Sequence, residues 1–403
     1  MIRGETVNQL VKKKLLFIIP SLSAGGAEKS LVNLLSTMDA SQYSVDLFMF
    51  SDEGLFRNQL PEWVRILPKN TGLHDFQKPL LSSFLSFIKK GKFLLAKSRL
   101  QFFLKNQFIQ NKGMAEQYSW PYLRNACTTL PDEYDAAIGF LEKSSNYFVV
   151  DRVRAKKKIG FIHNDYQQLA LDKHIDEPYF RELTSVATVS EECVEVLKEE
   201  FPQLKNKFKL VPNIVSSRLI HSLSGEYSID LHPNEMVSIG RLHSQKGFDL
   251  AIEAARILKN KNISFHWSII GEGSEREFLQ QMIDRYQLQH HVSLIGLRDN
   301  PYPYIKAAKV FVQSSRYEGK SIAVDEAKIL AKPIVLTNFS TAKDQIEHSV
   351  NGLIVEMTPE AIAEGIMKYL EDYSFAEKVS AQLASGNFGT EHEIKKFYQL
   401  INE

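Results

Sequence analysis

The sequence has 403 residues, 49 Lys+Arg against 48 Asp+Glu and a formal net charge of +1, with 44% hydrophobic and 24% charged residues. A single core seldom grows past about 250–300 residues, so two domains are expected, and the balanced charge argues against a protein built for nucleic acid. Cys127 and Cys193 are too few and too isolated for a disulfide framework or a thiolate metal site.

No apolar run approaches the roughly 18–20 residues that span a bilayer. Lys12, Lys13 and Lys14 precede an apolar stretch, but residues 15–19 are shorter than the roughly 7–15 residues of a signal-peptide core. They read as a buried strand, and the chain is expected to stay in the cytoplasm.

Short apolar runs alternate with helix-like segments, the pattern of parallel strands joined by helical crossovers. In the first half the expected strands are 15–19, 45–50, 136–140, 158–163, 185–189 and 208–211. In the second half they are 236–239, 266–270, 292–295, 310–313, 333–336 and 352–355. A polar stretch without clear periodicity, 216–234, separates the two series and reads as a linker. The expectation is therefore an α/β protein with two facing, doubly wound, Rossmann-like domains. The first covers residues 1–215 and the second 235–390, with a terminal helix over 391–403. Ligands of such sheets bind beyond the carboxyl ends of the strands, which places the site in the cleft.

Residues 77–124 depart from the average. Lys78, Lys89, Lys90, Lys92, Lys97, Arg99, Lys105, Lys112 and Arg124 face a single acid, Glu116. Phe84, Phe87, Phe93, Phe102, Phe103, Phe108 and Trp120 lie among them. A basic, aromatic helical segment suits an anionic membrane surface. The plain alternative is an insertion whose aromatics pack inward and whose lysines are merely solvated.

Three stations carry chemistry. Residues 23–28 (SAGGAE) follow the first strand and open a helix, where glycines let backbone N–H groups approach an anion. This is not GxGxxG, and no acid clearly closes the second strand to hold an NAD ribose, which disfavours a dehydrogenase. The second domain opens with GRLHSQKG over 240–247. Arg241 and Lys246, on a glycine-bounded loop after a strand, can converge on one pyrophosphate, as a planar fork and a mobile point charge. In residues 315–326 (SRYEGKSIAVDE), Glu318 and Glu326 stand eight apart. A helix starting at Ser321 turns both carboxylates toward one cleft and aims the amides of Gly319, Lys320, Ser321 and Ile322 at an anion. Carboxylates accept hydrogen bonds from sugar hydroxyls.

These stations in this order resemble the retaining glycosyltransferases of family 4, which have the GT-B fold. Further matching segments are IIGEGSE at 269–275, VSLIG ending at Gly296, FIHND at 161–165, and TVSE followed by VPN within 188–213. Residues 75–130 match nothing of the family. The resemblance implies transfer of a sugar from a nucleotide diphosphate donor, usually uridine-linked, with retention of anomeric configuration. Arg241 and Lys246 would then bind the donor diphosphate, Glu318 the donor sugar and Glu326 the ribose hydroxyls. Gly26 and the 319–322 amides would line sugar and phosphate, and His163 would stand near the reacting centre. Lys320 and Ser321 occupy positions where the family often has an aromatic and a small residue.

No Asp-x-Asp pair occurs, so neither a metal nor another cofactor is expected beside the nucleotide-sugar. The expected partners are a UDP-sugar, a lipid-linked or polysaccharide acceptor, and the inner face of the cell membrane, with no nucleic acid. The competing readings are a non-catalytic GT-B scaffold that stabilises a partner transferase and a nucleotide-sugar 2-epimerase.

Overall fold

The computed structural model describes residues 12–402 apart from 24, 53, 69–70, 110–111 and 231. Ala24 of the glycine-rich turn and the side chains of Phe108 and Lys112 lie outside the described residues.

Two parallel sheets organise the chain. The first holds β1 (Lys13–Ile19), β2 (Tyr43–Met49), β3 (Val64–Ile66), β4 (Glu133–Gly139), β5 (Arg154–Ile162), β6 (Ser185–Thr188) and β7 (Phe208–Leu210), in the order β3-β2-β1-β4-β5-β6-β7. The second holds β8 (Glu235–Ile239), β9 (His266–Ile270), β10 (Val292–Gly296), β11 (Val310–Gln313), β12 (Ile334–Thr337) and β13 (Leu353–Val355), in the order β10-β9-β8-β11-β12-β13. Leu15, Leu16, Phe17, Ile18 and Ile19 are all fully buried, because helices cover both faces of a parallel sheet. Each such side chain contributes about 1.5–3 kcal/mol, enough to fix this run at the centre of its sheet. Strand order reverses at β1/β4 and at β8/β11, and the loops leaving those strands face each other across the cleft.

One segment differs from expectation, and the terminal helix gains a placement the sequence left open. Residues 216–234 are not featureless. Ser216 caps a helix, Ser217–Leu223, accepting from the Leu219 amide at 3.4 Å, and Ile220 joins the core of the second domain. Seven residues make under two turns, too few for a visible period. The terminal helix spans Ile394–Asn402 after a 3-10 turn at Glu391–Glu393, and it returns to the first domain, where Phe397, Leu400 and Ile401 join the core around β1. The chain thus crosses the waist twice. There the Val215 amide donates to Thr390 Oγ1 at 2.8 Å, and that hydroxyl donates to the Asn213 carbonyl at 2.7 Å.

The basic segment forms helices Leu80–Lys89, Phe93–Phe108 and Lys112–Leu123. Phe87 and Trp120 are buried, and Phe84 and Phe102 pack on a small satellite core with Phe76. Lys78 and Lys90 both pair with Asp75, which lies just before the segment. The opposite face is bare: Leu81, Leu85 and Ile88 on one helix and Phe93, Leu94, Leu100, Phe103 and Leu104 on the next are exposed, Leu81 at 75% and Phe93 at 66%. A buried network fastens the third helix to the domain, where Asp176 accepts from Gln117 Nε2 at 3.0 Å and from the hydroxyls of Tyr147 and Tyr166.

Candidate active site

The loop after β8 is shaped by Gly247, whose φ of 61° is left-handed; a Cβ there would lie 2.1 Å from the Ser314 carbonyl oxygen. This packs the 3-10 turn Ser244–Lys246 onto the end of β11. Lys246 Nζ then lies 2.5 Å from Glu318 Oε1, which also accepts from Ser315 Oγ at 2.6 Å and Gln313 Nε2 at 3.1 Å. Glu318 is 5% exposed. The cation expected on the diphosphate and the acid expected on the sugar are therefore in contact. Arg241 is more open, its side chain 53% exposed, and reaches across the cleft to within 3.6 Å of Glu28 Oε1.

Glu28 is buried in the helix Gly26–Thr37 of the first domain, and its carboxylate folds over Gly25, where a Cβ would lie 2.1 Å from Oε2. Burial raises its pKa, with its own backbone amide and then Arg241 opposing. At Gly26 a Cβ would meet nothing within 4 Å, so the tight glycine of the pair is Gly25, not Gly26.

Glu326 lies inside the helix Ile322–Ile329, and Ile322 packs into the second core. Glu326 Oε1 accepts from Tyr302 Oη at 3.0 Å and is ion-paired with Lys29 of the facing domain. Ser321 stands at the N-cap but makes no capping bond; its hydroxyl donates to Gln313 Oε1 at 3.5 Å. Its amide donates to Gln345 Oε1 at 2.8 Å, so of the expected 319–322 cradle this amide is committed inside the protein. Lys320 Nζ lies 3.9 Å from Asp325 Oδ2 on the helix that follows it. Gly319 is pressed against the other domain: a Cβ would lie 2.0 Å from the His163 carbonyl oxygen.

His163 follows β5. Its ring packs 4.9 Å from Phe140 and 5.6 Å from Phe161, and neither nitrogen has a hydrogen-bond partner. Burial pushes its pKa down to about 4, opposed by the Glu142 carboxylate and, more weakly, by the nearby Phe140 backbone and Asn213 side chain, which fall short of good hydrogen-bond geometry, so the imidazole is neutral near pH 7. Glu142, on the loop after β4, accepts from the His163 amide at 3.5 Å and from Asn164 Nδ2 at 2.9 Å. Next to it Lys143, at φ 66° and ψ −119°, holds a backbone conformation that L-residues avoid, with its ammonium 2.7 Å from Glu116 Oε2. Sequence reasoning missed Glu142 and Lys143, as it missed Lys29 and Tyr302; the places of the first two just after β4 and of Lys29 just after GGAE offered a signal, and that of Tyr302 offered none. Asp165, unassigned from sequence, accepts from Ser340 Oγ of the second domain at 2.6 Å, and Gln245 Nε2 reaches Asn164 Oδ1 at 3.0 Å. Among the described residues no group of three or more His, Cys, Asp or Glu is placed to hold a metal.

Arg241 and Lys246 thus follow β8, Glu318 and Glu326 follow the neighbouring β11, and Arg241 and Glu326 meet adjacent residues, Glu28 and Lys29, of the first domain. Residues 222–384 match the family described as glycosyl transferases group 1. This stretch of the chain is similar to the group 1 glycosyl transferases.

Arg241, Lys246, Glu318 and Glu326 all lie within the matched stretch. An uncharacterised glycosyltransferase of Methanocaldococcus jannaschii is 31% identical over 175 residues, 42% of this chain and 43% of that protein. Two other curated relatives are matched over 62% and 34% of their lengths. A longer match, 24% identical over 89% of this chain and 91% of the relative, is to the N-acetylgalactosamine-N,N'-diacetylbacillosaminyl-diphospho-undecaprenol 4-alpha-N-acetylgalactosaminyltransferase of Campylobacter jejuni. Among solved structures, a mutant of Staphylococcus aureus TarM in complex with fondaparinux, alpha-GlcNAc-glycerol and UDP superposes with a TM-score of 0.67 at 16% identity, covering 97% of this chain and all of that one. The shared architecture is GT-B, two Rossmann-like domains around a cleft.

Proposed function

We propose that the protein is a retaining glycosyltransferase of family 4 that moves a sugar from a UDP-sugar to a lipid-linked or polysaccharide acceptor at the cytoplasmic face of the membrane. The observation that carries this reading is the contact of Lys246 with Glu318 at 2.5 Å, beside Arg241, on a cleft edge facing a second domain. Breaking the glycosidic bond of the donor leaves negative charge on a diphosphate, and fixed cations in a cleft stabilise that charge as it develops. Glu318, held by Ser315 and Gln313, keeps an oriented carboxylate for donor-sugar hydroxyls, and Lys246 bridges that carboxylate to the phosphate. The acceptor hydroxyl attacks the anomeric carbon on the face the diphosphate leaves, and its proton passes to the departing phosphate oxygen. His163, neutral and buried, stands near the reacting centre in this reading and does not take that proton.

The two cations serve where a divalent ion would otherwise stand, so the reading requires no metal. Relatives support the substrate classes: TarM binds UDP, and the Campylobacter protein is named for a diphospho-undecaprenol acceptor. The bare apolar face of helices Leu80–Lys89 and Phe93–Phe108, flanked by exposed Lys89, Lys92 and Lys97, suits an anionic lipid surface. Among the described residues no helix is long and apolar enough to cross a membrane, which fits peripheral docking.

A donor screen tests this. Nucleotide release should be seen from one UDP-sugar without acceptor and rise with a lipid-linked acceptor; chelator should leave the rate unchanged, and an α-donor should give an α-product. Failure of every nucleotide-sugar to be cleaved or transferred would overturn the reading.

A further inference from the structure

The first turn of helix Gly26–Thr37 reaches the second domain at two points of opposite sign. Glu28 approaches Arg241, and the next residue, Lys29, pairs with Glu326. The second contact is the more enclosed: Glu326 is 1% exposed, and the Lys29 side chain 17%. The Lys29 ammonium lies 4.6 Å above the Tyr302 ring, and the Tyr302 hydroxyl donates to the same oxygen, Oε1, at 3.0 Å. Burial works to lower the pKa of Lys29, but Glu326 and Tyr302 more than offset it and leave the group above the ordinary lysine value. The ammonium is therefore charged throughout the physiological range.

A carboxylate has two oxygens and about four acceptor positions. With Oε1 taken by a cation and a phenol, the plane of the group is fixed and Oε2 remains to accept from a ligand. We infer that Lys29, supplied by the facing domain, is a positioning residue for nucleotide recognition: together with Tyr302 it aims Glu326 so that Oε2 accepts from the donor ribose. This rests on the assignment of Glu326 to the ribose. It makes recognition of the nucleotide a property of the closed molecule, because opening the cleft takes Lys29 away and leaves a buried carboxylate with a phenol alone. Lys29 touches no reacting atom, so its effect belongs to donor affinity rather than to bond breaking.

Calorimetric titration of the full chain with UDP, 2′-deoxy-UDP and 3′-deoxy-UDP tests the inference on wild type, Lys29→Met, Lys29→Arg and Tyr302→Phe. Wild type should prefer UDP over at least one deoxy analogue by about tenfold, the worth of a hydrogen bond to a charged acceptor. In Lys29→Met that preference should collapse to about twofold or less, with the donor KM rising more than kcat falls; Lys29→Arg should keep it, and Tyr302→Phe should fall between. A Lys29→Met variant that keeps the full preference overturns the role of Lys29. So does one that binds UDP more tightly than wild type, since Lys29 would then be an obstacle the ribose must displace. Wild type that cannot tell UDP from either analogue instead removes the ribose assignment of Glu326, so the two failures are distinguishable.

Discussion

Lys246 and Arg241 differ in how their loss should register. Lys246 is enclosed against Glu318, and removing it leaves a buried carboxylate held only by Ser315 and Gln313. Arg241 is open, so its loss should subtract phosphate binding and little else. Either Lys246→Ala or Arg241→Ala should cost about 2–4 kcal/mol of transition-state stabilisation, read as kcat/KM, and unchanged turnover in both would dismiss the phosphate assignment. His163 gives a prediction on stability. Its ring titrates near pH 4 when folded against an ordinary 6.5. Between these values the unfolded chain holds a proton that the folded chain refuses, so stability is fully present above pH 6.5 and is lost as pH falls toward 4. The loss is about 3 kcal/mol. Denaturant titrations across this window should show a flatter pH dependence for His163→Phe; parallel curves for the two proteins would refute it. Asp176, raised by burial, contributes the opposite slope but is common to both.

At the scale of elements, what could be read from sequence was what burial had written as unbroken apolar runs. β1, β9 and β11 lie where such runs stand. β3 was not legible: its three residues carry Arg65 in the middle, whose guanidinium pairs with Asp46 of β2 through Nε at 2.7 Å and Nη2 at 2.6 Å. In the site, the GRLxxxKG and EGxxxxxxE stations were legible because their spacing is local, whereas the Lys29–Glu326 pair joins residues almost 300 positions apart. In the basic helices the plain reading of an inward-packing insertion holds for Phe87 and Trp120, while Phe93 and Leu94 face outward. That outward face predicts binding to anionic vesicles at low salt that weakens toward about 0.5 M. The double change Leu85→Glu with Phe93→Glu should abolish it and shift stability by no more than about 0.5 kcal/mol, since both side chains are exposed. Wild-type vesicle binding that ignores salt, or a variant that binds as well, would dismiss the lipid role.

For the whole molecule, closure depends on a place where a side chain is missing. A methyl group at Gly319 would stand 2.0 Å from the His163 carbonyl, and backbone does not yield there as a side-chain tip would. Gly319→Ala should lower kcat at least about tenfold and enlarge the radius of gyration in small-angle scattering with nucleotide present, while each domain keeps its melting behaviour. An alanine variant as compact and as active as wild type would contradict this. The returning helix Ile394–Asn402 is a second whole-molecule device. Phe397, fully buried, stacks 5.8 Å from Phe17 of β1, and Phe397→Ala should cost about 3–5 kcal/mol in the unfolding of the first domain. A stability change below about 1 kcal/mol in denaturant titration would sink that assignment.

The order in which these parts emerge from the ribosome then matters. Residues 394–402 are synthesised after the entire second domain, yet they form one wall of the core around β1. The half that is translated earlier must wait with that wall open, while the half translated later already has every strand it needs. Its glycine-rich turn, and with it the lysine that aims Glu326, gains a settled seat only once the second domain has formed behind it.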